Sequence, residues 1–146
     1  MSIPKKIHYC WFGKAPLPAS VKKCIASWKK KCPGYEIIRW DETNVDINEN
    51  KYISQAYGAK KWAFVSDWVR LKVVYENGGV YLDTDVELIK SLDALTEKYD
   101  GFFGYEYGKN LIATGLGFGA KKGDKFVKAM LDEYDGLSFF DENGIQ

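Results

Sequence analysis

The sequence of 146 residues lacks an excess of charge of either sign and contains little cysteine, histidine or arginine. Its 21 basic and 20 acidic residues leave a net charge of +1, which excludes the strongly basic composition of an electrostatic nucleic-acid binder. Three cysteines without a CxxC pair exclude a disulfide framework. No run reaches the roughly 20 apolar residues of a membrane-spanning helix, and the amino terminus lacks the apolar run of a signal peptide. We therefore expect a reduced, cytoplasmic protein that does not bind nucleic acid.

Acidic residues are absent from the first part of the chain. Up to Tyr35 the sequence has eight lysines and no aspartate or glutamate. Most of these lysines fall in the first predicted helix, namely Lys22, Lys23, Lys29, Lys30 and Lys31. Such a cluster predicts either a solvated helix face, which is the simpler interpretation, or a weak peripheral contact with the inner face of a membrane, to which each lysine would contribute on the order of 1 kcal/mol.

Strand and helix patterns alternate along the chain. Apolar residues on both faces predict a first strand from Ile7 to Phe12, and helical spacing predicts a helix that is capped by Ser20 and ends before Pro33. Further strands are predicted at 35–40, 80–82, 101–105 and 112–118, and further helices at 59–76 and 124–134. This alternation predicts an α/β fold with a mostly parallel sheet flanked by helices. Because repeats and linkers are lacking, we expect a single domain over residues 1–146.

Two carboxylates, Asp83 and Asp85, come directly after the third predicted strand. In open α/β folds this edge of the sheet binds ligands, and side chains two residues apart on an extended backbone share one face. Their charges would repel each other unless a cation neutralised them, and oxygen ligands favour Mg²⁺ or Mn²⁺ completed by water and substrate phosphates. The pair therefore predicts a metal–diphosphate site, although by itself it is equally typical of a solvated turn. Glu87, the next acid, is interpreted as a solvated side chain.

A second charged pair, Asp67 and Arg70, lies within the apolar helical segment FVSDWVRLKVV. Residues three apart share one helix face, so the pair is compatible with a simple surface ion pair that adds little stability. Among apolar residues, however, a charged pair would be partly buried and would need partners there. Arg70 is one of only two arginines, and its planar guanidinium matches phosphates and hydroxyls in a way that lysine cannot.

Two residues of the first strand carry side chains that could act in a site. Trp11, at the end of the strand, is by itself more typical of a hydrophobic core than of a stacking platform. His8, the single histidine, is interpreted as a hydrogen-bonded structural residue and not as a base or a metal ligand.

Three segments occur in an order that is typical of one family: IPKKIHYCWFG at 3–13, AFVSDWVR at 63–70 and GGVYLDTDV at 78–86. Together they resemble the DXD-containing glycosyltransferases of family 32, which include bacterial capsular and exopolysaccharide transferases and are related to the glucosylating domains of large clostridial toxins. The resemblance implies a GT-A fold, which is Rossmann-like, and Mn²⁺ or Mg²⁺ as cofactor. It also implies transfer of a sugar from a UDP- or GDP-sugar to a saccharide or lipid-linked acceptor in polysaccharide biosynthesis, with retention of configuration.

The resemblance further implies a role for each matching residue. Trp11 matches the aromatic residue that stacks on the nucleotide base, and an aromatic face does stack on any base. Asp67 and Arg70 match the helix pair that holds the sugar hydroxyls and the phosphate of the donor. Asp83 and Asp85 match the acids of the DXD motif, the first near the ribose, the sugar and the metal and the second on the metal itself. The two acids are therefore the expected catalytic positions.

The resemblance leaves the extent of the site open. Family members are commonly longer and use a carboxyl-terminal segment to build the acceptor pocket, so we expect the chain to lack part of that region. Two alternatives remain: a non-catalytic nucleotide-sugar-binding fragment and, more distantly, a phosphatase of the haloacid dehalogenase type, whose strand-end motif also has two aspartates one residue apart. The glycine-rich run at 115–119 lacks the lysine of a phosphate-binding loop and is expected to allow tight turns or close approach to the donor, with Thr114 near the sugar.

Overall fold

A computed structural model of the chain describes residues 3–103, 105–106, 111–112 and 117–140. Its elements follow one another as β1 (Lys6–Cys10), α1 (Ala19–Lys31), β2 (Glu36–Trp40), α2 (Lys51–Gly58), α3 (Trp62–Asn77), β3 (Gly79–Tyr81), α4 (Asp93–Thr96), β4 (Gly101–Phe103), β5 (Tyr105–Glu106), β6 (Leu111–Ile112), β7 (Phe118–Ala120) and α5 (Lys125–Asp132). The α/β fold predicted from the sequence is confirmed.

Five strands form one mixed sheet in the order β2-β1-β3-β7-β4. β1 lies between β2 and β3 and pairs in parallel with both, with Ile7 opposite Ile37 and Val80. β7 pairs antiparallel with β3 and with β4, and β5 pairs antiparallel with β6 outside this sheet. The parallel arrangement is therefore confirmed for the part of the sheet that carries the predicted site, whereas the opposite edge is antiparallel.

The sheet separates two hydrophobic cores, because successive residues of a strand face opposite sides. The core on the α1 side includes Ile7, Tyr9, Val21, Ile25, Trp28 and Val80. The core beneath α2, α3 and α5 includes Cys10, Ile53, Val65, Val69, Tyr81 and Val127. Burial on both faces holds β1 and β3 side by side, so that the carboxyl ends of these parallel strands meet at one edge of the sheet.

Helix α1 begins at Ala19, one residue before the predicted cap. Pro18 is the N-cap residue, with φ −64° and ψ 160°, and no side chain caps the helix. The prediction that Ser20 caps it is wrong, because proline already holds the extended conformation from which a helix can start. The basic side chains of Lys22, Lys23, Lys29 and Lys30 are exposed, as expected for a solvated face. Among the helices that the structure describes, none is long and apolar enough to cross a membrane.

The region between β2 and β3 contains two helices where the sequence predicts one. α3 begins at Trp62 and not at Ala59, and α2 precedes it. Asn50 caps α2, because its side-chain oxygen accepts a hydrogen bond from the backbone N–H of Ile53 at 3.2 Å. Ile53 and Ala56 are fully buried. The 8 residues of α2 are too few for a clear helical period, and the Asn50 cap is the signal that could have located it.

The carboxyl-terminal elements follow the predictions in part. The strand predicted at 101–105 corresponds to β4. Of the strand predicted at 112–118, Ile112 lies in β6 and Phe118 in β7, and residues 113–116 lie outside the described ones. The last helix is confirmed as α5. Asp124 caps it by accepting hydrogen bonds from the N–H groups of Phe126 at 2.9 Å and Val127 at 3.0 Å.

Gly79 starts β3 in a conformation that other residues adopt only with strain. Its φ is +120°, and a Cβ there would lie 2.8 Å from the carbonyl oxygen of Lys6 and 3.0 Å from Nε2 of His8. Because the sheet fixes both neighbours, we expect Gly79→Ala to lower the free energy of unfolding by about 2 kcal/mol or more in urea unfolding. Gly34→Ala is the matched control, since no atom lies within 4 Å of its Cβ position. Similar losses in the two variants would contradict this assignment of strain.

Candidate functional site

The two acids of the DxD segment lie on a turn at the carboxyl end of β3. Leu82 N–H still donates to the His8 carbonyl at 3.1 Å, and the N–H of Val86 then donates back to the carbonyl of Asp83 at 3.1 Å. The expectation of an extended backbone through Asp85 is therefore wrong, because the chain turns here. As a result Asp83 is half-buried and Asp85 is exposed.

The turn is fixed by the segment that follows it, which is held against α1. The carbonyl of Val86 accepts a hydrogen bond from Nε1 of Trp28 at 2.8 Å, and the N–H of Leu88 donates to Oγ of Ser27 at 2.9 Å. The chain must leave the sheet after β3 to make these contacts. Glu87, between the two anchored residues, is exposed, in agreement with its interpretation as a solvated acid.

Arg70 connects the DxD turn to helix α3. Its side chain is buried, and Nη2 lies 3.1 Å from Oδ1 of Asp67 and 3.6 Å from Oδ1 of Asp83. Its Nε donates to the carbonyl of Ser66 at 3.1 Å, so the guanidinium is held at a defined orientation. The structure thus brings three of the predicted site residues into one network, with the cation between two carboxylates.

Tyr81 completes this network and was not among the predicted site residues. Its hydroxyl donates to Oδ1 of Asp83 at 3.0 Å, and the guanidinium carbon of Arg70 lies 4.8 Å from the centroid of its ring. Burial raises the pKa of the Tyr81 hydroxyl well above its ordinary value, so it remains a donor. Burial also raises the pKa of the neighbouring Cys10 thiol to about 12, so this sulfur is protonated at neutral pH in the metal-free protein. The signal in the sequence was the position of Tyr81 two residues before Asp83, on the same face of the strand.

Burial raises the pKa values of the two carboxylates that contact Arg70. For Asp67 and Asp83 desolvation raises the pKa, Arg70 partly offsets this, and for Asp83 the charge of Asp85 adds a further rise. Three carboxylates against one guanidinium leave a formal charge of −2 in this cluster, which is Asp67, Arg70, Asp83 and Asp85 and is called the acidic cluster below. An added cation would relieve the repulsion and favour the ionised form of Asp83, which opposes the rise in its pKa.

The donors present fit a hard divalent cation. Asp83 and Asp85 offer carboxylate oxygens, and two protein ligands suit Mg²⁺ or Mn²⁺, which keep several waters and take phosphate oxygens from a substrate. The exposed Asp85 can take up such an ion without losing burial. Within the described residues no group of three or more His, Cys, Asp and Glu side chains forms a ready-made metal site, so a substrate would have to complete the coordination.

Trp11 lies at the same edge of the sheet, one residue after β1. Its backbone N–H donates to the carbonyl of Trp40 at 2.9 Å and its indole Nε1 donates to the carbonyl of Ala15 at 2.7 Å. The side chain is half-buried and packs partly against the core on the α1 side. The described contacts do not join it to the acidic cluster, so the two parts of the predicted site share an edge without touching.

His8 makes two hydrogen bonds in the interior, as a structural residue would. Its Nδ1 accepts from the indole Nε1 of Trp40 at 3.0 Å, so the proton is on Nε2, which donates to the carbonyl of Gly78 at 2.9 Å. The imidazole is therefore neutral and fully buried.

Acid is expected to destabilise the protein through His8. Burial lowers the pKa of the imidazole on folding, so below about pH 6.5 the unfolded chain binds the proton more readily than the folded chain. The contribution of His8 to stability is thus complete above about pH 6.5 and is lost as the pH falls towards the folded-state pKa. NMR titration of the single histidine should give a midpoint below about 6.5 in the folded protein, and a midpoint at or above that value would contradict the buried neutral form.

The glycine-rich run is described only in part. Thr114, Gly115 and Leu116 lie outside the described residues, so the position of Thr114 relative to a sugar stays a prediction. Gly119 lies within β7, where a Cβ would meet Cε1 of Phe102 at 2.6 Å. At this position the glycine allows close packing of two strands.

Comparisons with known proteins agree with the geometry. The family model described as "Glycosyltransferase sugar-binding region containing DXD motif" matches residues 18–102. "Subversion of eukaryotic traffic protein A" from Legionella pneumophila subsp. pneumophila is 28% identical over 111 residues, covering 58% of this chain and 17% of that protein. A solved structure, "PaToxG Glycosyltransferase", superposes with a TM-score of 0.72 at 20% identity, covering 92% of this chain and 63% of its own. The structural likeness confirms the GT-A-like fold, and the chain spans less than two thirds of either relative.

Proposed function

Because the chain belongs to the glycosyltransferase family whose sugar-binding region contains a DXD motif, we propose that it binds a nucleotide diphosphate sugar together with a divalent cation and transfers the sugar to an acceptor. The observation that carries the proposal is the acidic cluster, in which buried Arg70 joins the helix motif to the DxD turn. A simple surface ion pair on α3 would not reach Asp83. The family match also removes the reason for the phosphatase alternative.

The residues of the cluster suit different parts of a donor. Asp83 and Asp85 would hold Mn²⁺ or Mg²⁺, and such an ion supplies Lewis-acid stabilisation of the charge on a departing nucleotide diphosphate. Asp67, which is partly exposed, would accept hydrogen bonds from sugar hydroxyls. Arg70 orients both acids through its ion pairs, and its charge favours a phosphate nearby.

The base and the acceptor complete the proposal. Trp11 would stack on uracil or guanine with the exposed part of its ring. The family resemblance supports retention of configuration and a saccharide or lipid-linked acceptor, as in polysaccharide biosynthesis. NMR of donor and product would distinguish retention from inversion, because the two anomers differ in the one-bond carbon–proton coupling at the anomeric position.

Donor binding is tested by a thermal-shift panel of UDP- and GDP-sugars with and without Mn²⁺. A ligand at about 100 times its Kd stabilises the native state by roughly 2.7 kcal/mol, which raises the Tm by several degrees. We expect this shift for one nucleotide class, only with the metal, and its loss in Asp85→Ala. The absence of a metal-dependent shift with every nucleotide sugar, or an unchanged shift in Asp85→Ala, would overturn the proposal.

One alternative remains, a fragment that binds the donor without turnover. The observation that favours it is the partial match in length, since the chain spans 17% of one relative and 63% of the other. Release of free nucleotide in the presence of a panel of saccharide and lipid-linked acceptors separates the two functions. Binding without acceptor-dependent release would favour the fragment.

A further inference from the structure

The loop that follows β1 is held by a carboxylate from another part of the chain. The N–H of Gly13 donates to Oε2 of Glu42 at 2.6 Å, and the hydroxyl of Tyr57 donates to the same oxygen at 3.0 Å. Glu42 lies in the turn after β2 and Tyr57 lies in α2. Partial burial raises the pKa of Glu42, but these hydrogen bonds outweigh the rise and hold it below its ordinary value, so the acceptor is an ionised carboxylate.

An aromatic ring closes the other side of the same loop. Gly13 has φ +97°, and a Cβ there would lie 2.7 Å from Nε1 of Trp62, so the indole lies directly against the backbone of the loop. The ring of Tyr57 packs against that of Trp62, with centroids 5.1 Å apart. The loop is thus fixed at Gly13 by one charged hydrogen bond and by one packed indole, and neither residue belongs to the acidic cluster.

The same loop carries the hydrogen-bond partner of the Trp11 indole. The indole N–H of Trp11 donates to the carbonyl of Ala15 at 2.7 Å, two residues beyond the glycine that Glu42 holds. Because this N–H is already bonded inside the chain, the ring face is the part of Trp11 left for a ligand. A face held in this way stacks on a base without first losing side-chain freedom.

We propose that Glu42 is a positioning residue for the nucleotide base, which acts by holding the loop at 13–15 so that Trp11 presents a fixed face. The proposal rests on the proposed function, since it takes Trp11 as the platform for the base of the donor. Glu42 itself does not contact the base. Its effect on base binding is therefore expected to disappear when Trp11 is removed, which makes the role separable from a general effect on stability.

Calorimetric binding of UDP and of GDP in the presence of Mn²⁺ tests this role. For the nucleotide that binds, Trp11→Ala is expected to weaken the affinity roughly tenfold, the value of one base–aromatic stack. Glu42→Ala is expected to weaken it by roughly threefold to tenfold and to have no further effect in the Trp11→Ala background. Glu42→Gln keeps an oxygen that can accept both hydrogen bonds and should restore most of the affinity.

The controls separate the role from folding and from the proposed function. Glu76→Ala, at an exposed position on α3, should leave the affinity unchanged. If Glu42→Ala does not fold, Tyr57→Phe removes one of the two hydrogen bonds and should weaken binding in the same direction. Two results would overturn the positioning role alone. One is a loss of affinity in the Glu42→Ala, Trp11→Ala double variant that equals the sum of the two single losses. The other is full affinity in Glu42→Ala and Tyr57→Phe when Trp11→Ala binds more weakly. Failure of the unmodified chain to bind either nucleotide would overturn the proposed function and this role with it.

Discussion

Asp85→Ala is expected to lower kcat/KM for sugar transfer at least about a hundredfold and to abolish its dependence on Mn²⁺. Asp85 is exposed at the tip of the turn after β3, and its side chain forms no ion pair or hydrogen bond with the residues that the structure describes, so its carboxylate is available to an ion. Without it Asp83 alone would have to hold the metal beside the diphosphate. The rate of nucleotide release over a series of Mn²⁺ concentrations measures the loss, and the thermal stability of the free protein should be unchanged.

Glu87→Ala is the matched control for this prediction. Glu87 is also exposed and also acidic, and it lies two residues further along the same segment. If the metal is held by the DxD turn, Glu87→Ala keeps its activity and its Mn²⁺ dependence. Equal losses in the two variants would show that the negative charge of the whole segment matters and that Asp85 has no specific role.

Arg70→Ala is expected to destabilise the fold by about 2 kcal/mol, because removal of the buried cation leaves two partly exposed carboxylates without compensation. Two half-buried carboxylates, Asp67 and Asp83, would then repel each other without the cation between them. Urea unfolding at neutral pH measures the loss. Arg39→Ala is the control, because the Arg39 side chain is much more exposed than that of Arg70 and its partner Asp41 keeps two hydrogen bonds from Thr43. We expect a loss of at most about 1 kcal/mol.

A second substitution distinguishes lost charge balance from lost packing. If repulsion between the carboxylates causes the destabilisation, adding Asp67→Asn to Arg70→Ala should recover part of the stability, because one uncompensated charge is removed. Arg70→Lys should also be destabilising, since an ammonium cannot reach both acids and the Ser66 carbonyl with fixed geometry. A double variant no more stable than Arg70→Ala would attribute the loss to packing.

The positions of the charged residues could be predicted because each depends on a local pattern. The run of apolar residues before Asp83 marks a strand end, and the spacing of Asp67 and Arg70 marks one helix face. The contact between Arg70 and Asp83 could not be predicted in the same way, because it depends on how α3 packs against β3. Tyr81 was missed for a related reason: a tyrosine in an apolar strand looks like core, and its hydroxyl has a role only once Asp83 lies beside it.

The fold was least predictable in short elements, where tertiary contacts and not the local sequence decide the conformation. α2 has 8 residues and gains its stability from burying Ile53 and Ala56, which its own sequence does not reveal. β7 has 3 residues, and its antiparallel position between β3 and β4 depends on pairing alone. The sequence predicts extended backbone at Asp83, because the residues that anchor the turn, Trp28 and Ser27, lie in a helix far away in the chain.

The acidic cluster is built from one short, continuous stretch of chain. Asp67 and Asp85 are the first and last of its members, and α3 and β3 between them are joined only by Gly78. Closing so short a loop costs little chain entropy, so the ion pairs of Arg70 with Asp67 and Asp83 can form as soon as the helix docks on its own strand. The turn that carries Asp85 also needs its anchors in α1. The platform at Trp11 is different, since it needs β2, α2 and the start of α3 to be in place. We therefore expect the ion pairs of Arg70 to form early in refolding and base binding to be recovered later.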